Sequence, residues 1–114
     1  RLKAESRVCK VYAFRGSPSP FFIPVHVDVE KLTCSKVTFA EALIAEGIDL
    51  NPHYAFLVTD WAYAIPYLPE GTAIPNAVAF RDESFNLFVN ENYGERELND
   101  TVDAISKVEA HFGA

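Results

Sequence analysis

Residues 95–111 constrain the fold more than any other stretch of the chain. Leu98, Val102, Ile105, Val108 and Phe112 recur at steps of 4, 3, 3 and 4, while Glu95, Glu97, Asp100, Asp103 and Lys107 stay off that stripe. Apolar side chains at this spacing line one face of an α-helix, and in water such a helix needs a packed apolar surface beneath that face. Glu95 and Glu97 complement the positive end of its dipole, and Gly94 is a permissible cap. The rest of the chain must therefore supply an apolar surface.

Two segments with period-2 alternation are suited to that task. Residues 21–29 read FFIPVHVDV, with Ile23, Val25, Val27 and Val29 on one side and Phe22, Pro24, His26 and Asp28 on the other. Pro24 cannot donate to a ladder, so this strand is expected at an edge, or with its proline at the entry to the paired region. Residues 84–89 are expected as a second half-buried strand, with Phe85, Leu87 and Val89 alternating about Asn86 and Phe88 breaking the strict pattern. A further strand is expected over 7–14, where Val8, Val11, Tyr12 and Phe14 precede the breaker cluster RGSPSP.

A helix is expected over 36–46, with Ser35 or Thr38 as its cap, Thr38-x-x-Glu41 in the form of a capping box, and Gly47 as the stop. Phe39, Ala40, Leu43 and Ile44 fall on one face of it. Residues 48–68 hold Tyr54, Phe56, Trp61, Tyr63 and Tyr67 without a clean period, which predicts a long aromatic loop with short ordered pieces; a helical turn follows over 76–80. The fold class is α+β: two layers, a small and mainly antiparallel sheet with helices packed on one face.

A length of 114 residues suits one domain, 1–114, with a real core. A net charge of −6 without a basic cluster argues against nucleic acid or anionic lipid as partner. No apolar run approaches the roughly 20 residues that cross a bilayer. The chain starts at Arg1 and contains no methionine, and reads as a piece of a longer protein. Cys9 and Cys34 form no CxxC and are expected as buried free thiols in a reducing compartment.

His26, His53 and His111 are far apart and lack metal-ligand spacing to Cys or carboxylates, and GxGxxG, P-loop and GxSxG signatures are absent. Lys3, Lys31, Lys36 and Lys107 fall at positions that read as solvated surface, and nothing near Lys10 argues for a depressed pKa, so no imine-forming lysine is expected here. Two stretches remain. In GIDLNPHY, 47–54, a helix stop delivers Asn51, a proline-fixed bend, His53 and Tyr54 onto one loop, where they could bond sugar hydroxyls or phosphate oxygens. In FNLFVNENYGERE, 85–97, Asn90 and Asn92 close a strand ahead of a helix N-terminus, a place that favours anions. The bland alternatives are loop residues that merely bond their own sheet and a turn satisfied by asparagine side chains.

The helix ending AEGI (45–48), the NPHY after it and the closing NENYGEREL…DTVDAISKVEAHF (90–112) together resemble the C-terminal small domain of the DegT/DnrJ/EryC1/StrS family, the pyridoxal-phosphate sugar aminotransferases of aspartate-aminotransferase fold type. The resemblance covers most of the chain from Phe21 onward, although Trp61 and the aromatic loop 55–68 depart from the shorter linker of many members. It implies a cytoplasmic, typically homodimeric enzyme that transfers an amino group from glutamate or glutamine to a keto-sugar, usually nucleotide-linked. The cofactor lysine, the pyridine-pairing aspartate and the phosphate cup belong to the large domain in that family, so this part alone is expected to be inactive, with no catalytic, cofactor-binding or metal residue of its own. By similarity Asn51, His53, Tyr54 and Asn90 approach substrate. The contrasting reading is a stand-alone, non-catalytic module that binds a partner or metabolite through the aromatic loop 54–67, since exposed Trp and Tyr are favoured anchors.

Overall fold

A computed structural model describes all residues, 1–114. It contains α1 (Leu2–Glu5), β1 (Cys9–Val11), β2 (Phe22–Val27), α2 (Lys36–Ala45), β3 (Leu50–Asn51), α3 (Pro75–Asp82), β4 (Ser84–Phe88) and α4 (Glu95–Phe112), with single 3-10 turns at Val29–Lys31, Val58–Asp60 and Ile65–Tyr67. The strands form one antiparallel sheet in the order β1-β2-β4-β3, and the class is α+β. No helix is long and apolar enough to cross a membrane.

Strand alternation places Cys9, Val25, Val27, Phe85, Leu87 and Leu50 on one face of the sheet. That face packs with Phe39, Ala40 and Leu43 of α2 and with Ala104, Ile105 and Val108 of α4 into the core. Both helix faces are narrower than their periodicity suggests. Leu98 is 49% exposed, at the rim of a cavity of about 690 Å³ that it shares with Val11, Ile23, Val89 and Tyr93, and Ile44 is 43% exposed. Thr101 and Glu109 instead join the buried face of α4.

Glu109 is buried because the N-terminal arm bonds it. Ser6 Oγ donates to Glu109 Oε2 at 2.6 Å and the Arg7 N–H to Oε1 at 3.0 Å, and Ser6 Oγ accepts from the Val8 and Cys9 N–H groups. Cys9 and Cys34 are both free thiols, Cys9 buried and Cys34, contrary to expectation, only half-buried. Burial and the nearby Glu109 charge push the Cys9 thiol up to about 12, against the opposing bond from Ser6. Thiolate is the reactive form. At about pH 8, iodoacetamide should modify Cys34 first and leave Cys9 untouched until denaturant is added; equal labelling of both in the native protein, read by peptide mass, would contradict this burial.

Pro24 lies in β2, which is an interior strand and not an edge. Val27 donates to the Glu83 carbonyl, so the odd residues of β2 face β4 and the even ones face β1. The missing N–H of Pro24 thus points toward β1, and the β1 ladder stops one residue short of it, at Val11 with Val25. The proline ends one ladder without interrupting the other, which is why β1 is only three residues long and not the 7–14 expected.

The cap of α2 is Ser35, whose Oγ accepts from the Thr38 N–H at 3.1 Å; Thr38 lies inside the helix and caps nothing. At the other end Gly47 has φ 92°, its N–H bonds the Ile44 carbonyl, and the Ile48 N–H bonds that of Leu43. This is a Schellman arrangement, and a residue with a Cβ is strained at that φ. It turns the chain directly into β3, a two-residue strand inside the expected aromatic loop.

Candidate functional site

The loop after β3 is held at three points. The Asn51 side-chain Oδ1 accepts from the His53 N–H at 3.1 Å, closing an Asx turn over Pro52. Lys36, the first residue of α2, donates from Nζ to the Pro52 carbonyl at 2.7 Å and lies 3.2 Å from His53 Nδ1. Lys36 is 4% exposed, which corrects its expected place on the solvated surface. A lysine at a helix N-terminus meets the positive end of the dipole, and burial further disfavours its charge. Burial lowers the pKa of Lys36, with Asp82 opposing and Arg81 reinforcing the shift. The bonds to Pro52 and His53 are what offset those two costs.

His53 is half-buried, and its pKa is lowered by burial and by the positive charges of Lys36 and Arg81, with Asp82 pulling the other way. Arg81, near the end of α3, is tied to Asp82 at 3.0 Å and to Asp60 of the aromatic loop at 3.2 Å. The loop is therefore anchored to α3 as well as to α2. Tyr54 is exposed and meets Phe56 edge to face, with ring centroids 6.0 Å apart. Trp61 stacks on Tyr63 at 5.4 Å, and Tyr67 is 86% exposed.

Asn51, His53 and Tyr54 are thus brought together on one short segment, and Asn90 is not among them. Asn51 pairs with Asn86 in antiparallel register, so the chain after Asn51 runs toward the Ser84 end of β4. Asn90 follows Phe88 at the opposite end, exposed, with its Oδ1 accepting the Asn92 N–H at 2.9 Å and its carbonyl accepting the Tyr93 N–H. In this chain Asn90 does what asparagine commonly does in a turn. A scan against models of known protein families gives no match, and neither does a search of curated proteins.

The other two histidines are engaged elsewhere. His26 Nε2 lies 3.3 Å from Glu83 Oε2, and His111 meets Phe112 edge to face. No group of three His, Cys, Asp or Glu side chains could hold a metal ion. The one buried lysine, Lys36, has its Nζ engaged by the Pro52 carbonyl and His53. Lys36, Asn51, His53 and Tyr54 are the side chains of the candidate site. They make a braced loop presenting an imidazole and a phenol, which can bind and orient an oxygen-rich molecule. Lys36 is the residue that sequence reasoning missed. Its only signal was position, a lysine directly after a serine cap, where a cation opposes the dipole.

Proposed function

We propose that this chain is the C-terminal small domain of a pyridoxal-phosphate aminotransferase that acts on a keto-sugar, with the cofactor held by a large domain of the same protein. The observation that carries the reading is the loop of Asn51, His53 and Tyr54, which leaves the Gly47 stop and β3 as an ordered, pinned segment with Tyr54 exposed. The α+β architecture agrees with it, and the sequence likeness of 45–54 and 90–112 supplies the family. The small domain's contribution is to close one side of a cleft, exclude water and orient the sugar against a cofactor bound opposite. Pyridoxal phosphate itself supplies the electron sink for amino transfer.

The test is the intact mass of the native gene product after borohydride reduction, which fixes a cofactor–lysine imine as a stable adduct. The expected result is a chain much heavier than 12.7 kDa that carries a pyridoxyl increment; an unmodified product near that mass overturns the reading. In the same protein, His53→Ala and Tyr54→Phe should each lower kcat/KM for the keto-sugar about tenfold, the value of one lost hydrogen bond to substrate, with cofactor content unchanged. Wild-type kinetics in both variants would remove this loop from the site.

The exposed aromatic side chains of Phe56, Tyr63 and Tyr67 favour a second reading, a non-catalytic module that docks a partner or metabolite through the loop 54–67. A product near 12.7 kDa with no adduct is the result that reading expects.

A further inference from the structure

We propose that Lys36 is a positioning residue that fixes His53 as a neutral imidazole protonated at Nε2, so that the loop offers substrate a hydrogen-bond donor and selects an acceptor oxygen. An ammonium group has three donors and no lone pair. With the Nζ of a charged Lys36 at 3.2 Å, His53 Nδ1 is the acceptor of that contact and carries no proton, and the ring proton of a neutral imidazole then resides on Nε2. The second Nζ bond, to the Pro52 carbonyl, and the Asx turn from Asn51 fix the backbone on either side of the ring. Lys36 therefore sets both the place and the tautomer of His53.

The charges facing this pair come from three elements. Lys36 itself starts α2, Arg81 and Asp82 end α3, and Asp60 of the 3-10 turn pairs with Arg81. With Lys36 and Arg81 nearby, a second proton on the ring is disfavoured, in line with the lowered pKa of His53. A donor Nε2–H beside two cations suits a phosphate, carboxylate or carbonyl oxygen. The identity of that oxygen rests on the aminotransferase reading, whereas the tautomer is a property of this chain alone.

The experiment is a long-range proton–nitrogen spectrum of histidine-labelled protein, recorded from about pH 5 to 8 around the ordinary histidine pKa. The expected wild-type result is a protonated Nε2 and an unprotonated Nδ1 at His53, with a titration midpoint below that of a free histidine. In Lys36→Met the tautomers should mix and the midpoint should rise. An Nδ1–H ring in the wild type overturns the proposal, as does a folded Lys36→Met that keeps the wild-type pattern. If Lys36→Met does not fold, the wild-type tautomer still decides. In the native gene product, a folded Lys36→Met should raise KM for the keto-sugar about tenfold with a smaller change in kcat, and unchanged KM removes the link to substrate. Because the spectrum needs neither substrate nor cofactor, an Nε2–H ring in a protein that takes no pyridoxyl adduct upholds the role of Lys36 and defeats only the aminotransferase reading.

Discussion

Ile105→Asp should cost about 4 kcal/mol and lower the melting temperature by about 20 °C, the largest loss expected of any single exposed-to-buried contrast on α4. Ile105 is 1% exposed and belongs to the apolar core cluster with side chains of the sheet and of α2. A charge placed there has to be desolvated without a partner or to stay protonated, and either state is unfavourable. The control is Leu98→Asp on the same sequence stripe. Leu98 is half exposed at the cavity rim, so its replacement should cost under about 1 kcal/mol. Thermal unfolding followed by circular dichroism separates the two, and comparable losses at both positions would mean that the buried face of α4 has been misassigned.

Phe39→Ala should destabilise by about 4 kcal/mol, since truncation of a buried aromatic loses transfer free energy and leaves a cavity that the surroundings fill only in part. Phe39 is fully buried and, with Phe85, is among the largest enclosed side chains of the core. It is also one turn from Lys36, so loosening it should disturb the pinned loop. Ile44→Ala on the same helix should cost under about 1 kcal/mol, because that side chain is well exposed. Urea midpoints measured for both variants check the difference; equal shifts would show that α2 docks through a broader face than the structure has.

Local patterns carried much of this architecture. The steps of α4 and the alternation of β2 repeat within a few residues, and the serine cap and Gly47 stop of α2 act on their own turns, whereas β4, expected half-buried, is enclosed on both faces, with Ser84 and Asn86 as buried as Phe85 and Leu87. Where expectation missed, the deciding partner was distant in sequence. Periodicity placed Leu98 and Ile44 on apolar faces, but how wide a strip is covered depends on the neighbouring element. Pro24 reads as an edge residue, yet a proline removes a donor on one side of a strand only, and the free side happens to face the end of β1. The helix α1 and the strand β3 are too short to show a period at all.

The candidate site divides in the same way. The segment GIDLNPHY by itself determined that a bend, an imidazole and a phenol would follow a helix stop, because proline and glycine act on their own φ. It also contained the Asx turn, which runs from Asn51 to His53. Only the tertiary structure decided that Lys36, sixteen residues before Pro52, would be buried against that loop, and that Arg81 would bring a second charge to it. Only the antiparallel register of β3 on β4 set Asn90 at the far end of the strand from His53. The physical reason is common to all of these. A sequence determines the conformations each short segment prefers, whereas the burial of a charge and the distance between two loops depend on which segments meet, and that is settled by the packing of the whole chain.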